Sequence, residues 1–70
     1  MKVQIIIDAG SRTVDYNITV LNQEVADQTL RALYNAHYST QNKVIGLRDA
    51  TGEKCLINAS RLVFAVVMHD

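Results

Sequence analysis

Arg61-Leu62-Val63-Phe64-Ala65-Val66-Val67-Met68 is the stretch that decides how this chain folds. Seven consecutive apolar residues, three of them valine, follow Arg61. A membrane-crossing helix needs ~20 apolar residues, so this run is too short to span a bilayer. Its β-branched and aromatic content, without polar alternation, predicts a strand covered on both faces. A chain of 70 residues has little material with which to cover both.

Just before this run, Asn58-Ala59-Ser60 reads as a tight connection, preceded by a short strand over Glu53 to Asn58. In that strand Leu56 takes one face and Cys55 and Ile57 the other. Asp49-Ala50-Thr51-Gly52 is a turn, with Gly52 supplying the permissive backbone. Lys43 to Asp49 is a further strand, with Ile45 and Leu47 on one face and Val44, Gly46 and Arg48 on the other.

Further back the period changes. Val25, Ala26, Thr29, Leu30, Leu33 and Ala36 recur at helical spacing between Asn22 and about Ser39. Asn22 is the expected N-cap, with Glu24 and Asp27 where the helix dipole favours negative charge. Ser39-Thr40-Gln41-Asn42 breaks the pattern. At the start of the chain, Lys2 to Ile7 reads as a strand with Val3, Ile5 and Ile7 on one face. Thr13 to Val20 alternates without a fault, and the turn Asp8-Ala9-Gly10-Ser11-Arg12 between the two implies a hairpin.

The simplest assembly is one α+β domain over residues 1–70, in the order β-β-α-β-β-β. It predicts a five-stranded antiparallel sheet in the spatial order 3-4-5-1-2, with the helix packed on one face. The two most apolar strands, the fifth and the first, then lie centrally. Leu62, Phe64, Val66 and Met68 are expected under the helix with Val3, Ile5, Ile7, Tyr16, Ile18 and Leu56. The helix-free face is expected to show Ile6, Val44, Cys55, Ile57, Val63, Ala65 and Val67, rimmed by Thr13, Asp15, Asn17 and Arg48. A continuous apolar patch with a polar rim marks a partner surface.

Size points the same way. A chain this short buries only ~60% of its unfolded surface, and small domains commonly rely on disulfides, a metal or oligomerisation. The single cysteine, Cys55, excludes an internal disulfide, and two histidines with one cysteine do not make a structural zinc set. Self-association as a dimer is the remaining aid. Seven basic and seven acidic residues give a net charge of zero, so no strong field draws nucleic acid or anionic lipid. The short apolar run near Met1 and the unpaired cysteine lead to the expectation of a cytoplasmic protein, without membrane attachment. A phage or mobile-element origin would suit so short a chain.

Candidate chemistry is sparse. Ile5 to Thr13, with Asp8-Ala9-Gly10-Ser11 at its centre, resembles the first phosphate loop of the actin and sugar-kinase type of nucleotide-binding fold. That resemblance implies phosphate held by backbone N–H groups, and it makes Asp8, Gly10 and Ser11 a candidate ligand turn. The second phosphate loop and the adenosine segment of that fold are absent, and an ordinary hairpin turn accounts for the same residues. His37 and His69 have no Cys, Ser or carboxylate at a spacing that proposes a triad or a zinc site. Neither catalysis, a cofactor nor a metal is therefore expected. Tyr34 and Tyr38, one helical turn apart with Arg31 within reach of Tyr34, could stack on a base or peptide, but no basic stripe accompanies them.

Leu47, Asp49, Gly52, Leu56, Ile57 and Ala59, followed by Leu62-Val63-Phe64-Ala65-Val66, resemble the pattern of a family of very small actinobacterial proteins. The order of elements agrees over nearly the whole chain. This chain departs in carrying Asn58 where the family tends to have proline, and in a longer helix-to-strand connection. The family has no settled activity, so the resemblance implies a fold and no site residues. The functional expectation is a small non-enzymatic interaction domain that self-associates through its helix-free face and binds or regulates another protein. The alternative is a small-ligand or nucleotide sensor using the Asp8–Ser11 turn or a cleft at a dimer seam.

Overall fold

Alternating residues near the start of the chain pair as an antiparallel hairpin in the computed structural model, which describes residues 1–39, 41 and 43–69. β1 (Lys2–Asp8) and β2 (Thr13–Thr19) are in continuous register from Lys2 opposite Thr19 to Asp8 opposite Thr13. At the turn the Gly10 N–H donates to Asp8 Oδ1 at 2.9 Å, and Gly10 adopts φ +96°, a conformation open to a residue without a Cβ.

The helix α1 (Gln23–Tyr38) begins where the sequence places it. Asn22 Oδ1 accepts the Val25 N–H at 2.9 Å, satisfying one of the otherwise orphaned amides of the first turn. Ala26, Leu33 and Ala36 are buried on its inner face. Of the predicted breaker, Thr40 and Asn42 lie outside the described residues, while the Ser39 N–H closes the helix on the Ala36 carbonyl at 3.2 Å.

β3 (Val44–Arg48) and β4 (Lys54–Asn58) form a second hairpin. At its turn Asp49 Oδ1 accepts from the Thr51 N–H (2.9 Å), the Thr51 hydroxyl (2.5 Å) and the Glu53 N–H (3.1 Å). The chain then makes a 3₁₀ turn over Ala59–Arg61 and enters β5 (Leu62–Met68).

That 3₁₀ turn overturns the predicted single five-stranded sheet. β4 and β5 do not pair; the strands form a three-stranded sheet in the order β2-β1-β5 and a separate two-stranded sheet, β3-β4. The neighbours 5-1-2 and 3-4 are as expected, and the link between the fourth and fifth strands is the part that fails. Asn58 Oδ1 takes the Ser60 N–H (3.1 Å) and hydroxyl (2.6 Å), which bends the backbone out of the extended form. Ala59, fully buried, is then pinned from two sides. Its N–H donates to the Lys43 carbonyl (2.7 Å) and its carbonyl lies 2.8 Å from His37 Nδ1. Chain direction changes here, and β5 joins the other sheet.

The core lies between the three-stranded sheet on one side and α1 with the β3-β4 hairpin on the other. Val3, Ile5, Ile18, Leu62 and Ala65 of the sheet meet Ala26 and Leu33 of the helix and Leu47 and Ile57 of the hairpin. The helix packs directly on β1 and β5, while the second hairpin meets the helix and the 3₁₀ turn, and its Ala50 N–H donates to the Thr19 carbonyl of β2 at 2.8 Å.

Candidate functional site

The register of β5 on β1 fixes which side chains remain outside. Ile5 pairs with Ala65 and Val3 with Val67, and residues directly opposite in a sheet share a face, so Ala65 and Val67 join Val3 and Ile5 on the core side. Ile6 pairs with Phe64, Gln4 with Val66 and Lys2 with Met68, which places these on the outer side. Between Ile6 and Ile7 the register shifts, because Ile7 pairs with Leu62 and Val63 is the extra residue of a bulge. The bulge explains why Leu62 and Ala65, three residues apart, are both buried.

This corrects the expected facing of the strand. Of Leu62, Phe64, Val66 and Met68, only Leu62 is under the helix; the other three are outside. Of the seven residues expected on the helix-free face, Ile6 is there and Val63 is exposed at the bulge. Ala65 and Val67 are on the core side of β5. Ile57, 1% exposed, and Cys55 lie on the inner face of the second hairpin with Ile45 and Leu47, while Leu56 and Val44 point outward there. A uniformly apolar strand has no internal phase, so the one-residue ambiguity was resolved only by pairing.

An apolar surface is nonetheless present. Val63 (54%), Phe64 (43%), Val66 (41%) and Met68 (44%) are exposed along β5, with half-buried Ile6 beside Phe64 on β1. The polar rim is where the alternation of β2 put it. Thr13, Asp15, Asn17 and Thr19 share this face, Gln4 Nε2 donates to Asp15 Oδ2 (3.0 Å), and Asn17 Nδ2 donates to Asp15 Oδ1 (3.3 Å). Arg48 is instead on the outer face of the second hairpin, and its guanidinium reaches the Gly52 carbonyl at 3.4 Å. The one signal in the sequence that could have set the phase is Ala65. It is the only small residue in the run, and the Tyr34 hydroxyl of α1 bonds to its backbone.

The remaining candidates are dispersed. In the Asp8-Gly10-Ser11 turn, the Gly10 N–H that a phosphate would need is already donated to the Asp8 carboxylate. Tyr34 is directed at β5, while Tyr38 is exposed with its ring edge-on to His37, so the two tyrosines do not form one stacking platform. His37 binds the Ala59 carbonyl, and Lys43 Nζ donates to the His37 carbonyl at 2.6 Å, so both fasten the 3₁₀ turn. Among the described residues, no group of three or more His, Cys, Asp or Glu side chains is placed to hold a metal ion, and no helix is long and apolar enough to cross a membrane.

A shallow cleft of ≈ 150 Å³ separates β2 from the second hairpin, with Tyr16, Asn17 and Ile18 on one wall and Asp49, Glu53, Lys54 and Cys55 on the other. Ligand pockets usually measure roughly 300–1,000 Å³, so this one is small. Burial pushes the Cys55 thiol above its ordinary pKa, and the nearby Asp49 and Glu53 charges push it the same way. A protonated thiol is a poor nucleophile. Asp49 titrates below the ordinary carboxylate value because the Thr51 hydroxyl, and then the turn amides, stabilise its charged form. No protein-family model matches the chain, and no curated protein matches it.

Proposed function

We propose that this chain is a small non-enzymatic interaction domain that self-associates through the open face of its three-stranded sheet and, so assembled, binds or regulates another protein. The observation that carries this reading is the row of exposed side chains on β5, Val63, Phe64, Val66 and Met68, next to Ile6. Fully burying one such side chain contributes about 1.5–3 kcal/mol, and a domain of this size gains proportionally more from it than a large one does. The polar half of the same face, on β2, supplies a rim that keeps the patch from sticking indiscriminately. The unpaired Cys55, half-buried and held protonated, suits a reducing, intracellular compartment.

Light scattering or sedimentation against concentration tests the reading. The mass should rise from the monomer's 7.8 kDa toward twice that value as concentration increases from micromolar to millimolar. Val66→Glu should hold it at the monomer mass with an unchanged circular dichroism spectrum. A wild-type protein that stays monomeric throughout this range overturns the proposal.

A further inference from the structure

The open face has a pattern in its polar residues as well as in its apolar ones. Three columns run along it: Thr13, Asp15, Asn17 and Thr19 on β2; Lys2, Gln4, Ile6 and Asp8 on β1; and Phe64, Val66 and Met68 on β5. Tyr16, Ile5 and Ala65 form the row across the middle, on the opposite face of the sheet; Ile5 and Ala65 are in the core and Tyr16 is exposed at its edge. A half-turn about an axis along that row, in the plane of the sheet and perpendicular to the strands, lays a second copy face to face on the first. Lys2 then faces Asp8 of the second copy, Gln4 faces Ile6, Asp15 faces Asn17, Phe64 faces Val66 and Thr13 faces Thr19, each pair occurring twice.

Resting on the self-association reading, we infer that the second copy docks with its strands antiparallel across the interface, about the Tyr16–Ile5–Ala65 row, with reciprocal Lys2–Asp8 ion pairs at both ends. The competing symmetric arrangement, with the axis along β1, sets Lys2 on Lys2 and Asp8 on Asp8 and lays Asp15 over Phe64. Like charges opposed and a carboxylate placed against an aromatic ring both disfavour it. Under the perpendicular axis, apolar meets apolar on β5, polar meets polar on β2, and every charge of β1 meets its opposite. Stacked sheets lie about 10 Å apart and cross at about 30°. That angle displaces the end rows by about one strand spacing, within the compass of a lysine side chain. The Lys2 and Asp8 side chains are both exposed; Asp8 Oδ1 accepts the Gly10 N–H, and Oδ2 is the oxygen turned to the pairing in this arrangement.

Two charge reversals and their mixture form the test. Lys2→Glu alone opposes two carboxylates at each end of the interface, and Asp8→Lys alone opposes two ammonium groups there. Each variant's homodimer should therefore weaken by at least ~10-fold. Mixed together, the two variants regain opposite charges at both ends, and the heterodimer should form with close to wild-type affinity. Differently tagged chains read by native mass spectrometry give the homodimer and heterodimer populations directly. Asp8→Asn keeps an oxygen for the Gly10 N–H and serves if Asp8→Lys does not fold; mixed with Lys2→Glu, it should pair with that variant in preference to the Lys2→Glu homodimer. A wild-type protein that does not associate removes the parent reading. A wild-type dimer whose single variants associate as tightly as it does, or whose mixture shows no preference for the heterodimer, overturns this register alone.

Discussion

The Tyr34 hydroxyl, on the helix, makes two hydrogen bonds to the backbone of Ala65 on β5: it donates to the carbonyl at 3.0 Å and accepts the N–H at 3.1 Å. In an antiparallel pair, residues whose backbone groups point away from the neighbouring strand alternate with those that point toward it. Ala65 is one of the outward-pointing residues, and β5 has no strand on its far side among the described residues. Tyr34 therefore occupies the position a further strand would take. An unprotected edge is a template for uncontrolled pairing, and this contact blunts it at mid-strand. Under the proposed self-association, the sheet face rather than this edge is left for a second copy.

Tyr34→Phe keeps the ring and deletes both bonds. At about 0.5–1.5 kcal/mol for each hydrogen bond, the variant should lose about 1–3 kcal/mol of stability, read as a lower urea midpoint at unchanged slope. It should also aggregate at a lower concentration than the wild type, because the Ala65 amide and carbonyl become available along the edge. A midpoint equal to that of the wild type would show that water replaces the hydroxyl without cost.

Adjacent valines on β5 should respond oppositely to the same substitution. Val66 is exposed on the outer face, so Val66→Glu should leave the circular dichroism spectrum and melting cooperativity intact. Val67 packs against the core beside Val3, so Val67→Glu places a carboxylate in apolar surroundings and should unfold a large fraction of the molecules at room temperature. Equal tolerance at both positions would contradict the register of β5 on β1.

The Asp49 turn should give the protein an acid-sensitive increment of stability. Its folded-state pKa is lowered, so the contribution is fully present above the ordinary value of 3.8 and is lost as the pH falls through the folded value. Asp49→Asn should remove that component. Denaturation midpoints measured from pH 2 to 6 should then fall less steeply for the variant than for the wild type below about pH 4. Parallel curves would rule the turn out as a source of acid sensitivity.

Cys55 should be slow to react. Partial burial and the Asp49 and Glu53 charges keep its thiol protonated, and the thiolate is the reactive form. Reaction with a disulfide reagent at pH 8 should be several-fold slower in the folded protein than in urea. Added salt should speed it by screening the two carboxylates. A folded-state rate matching the unfolded one would place the thiol in open solvent.

Local chemistry is legible in the residues because it acts over a few positions. Thr13 to Thr19 alternates and is a half-covered strand; Val25 to Ala36 has helical spacing behind an Asn22 cap; Gly10 and Gly52 sit at positive φ in the two hairpin turns. The polar half of the open sheet face follows from that alternation, and Thr13, Asp15 and Asn17 are where it puts them. The apolar half was legible in kind but not in membership. β5 is apolar at every position, so nothing within it says whether Phe64 or Ala65 faces inward.

The sequence by itself determined the elements, their order, the hairpins and an excess of apolar surface over what one helix can cover. Only the tertiary structure decided that the strands split into two sheets and which side of β5 stays wet. Both decisions rest on contacts between residues far apart in the chain. Ala59 is held by Lys43 and His37 where the chain changes direction, and Ala65 is set opposite Ile5 after a bulge at Val63. A period-2 pattern states which residues share a face; the choice of face belongs to whichever register buries the better-fitting set, and here the small Ala65 lies where Tyr34 comes down upon the strand.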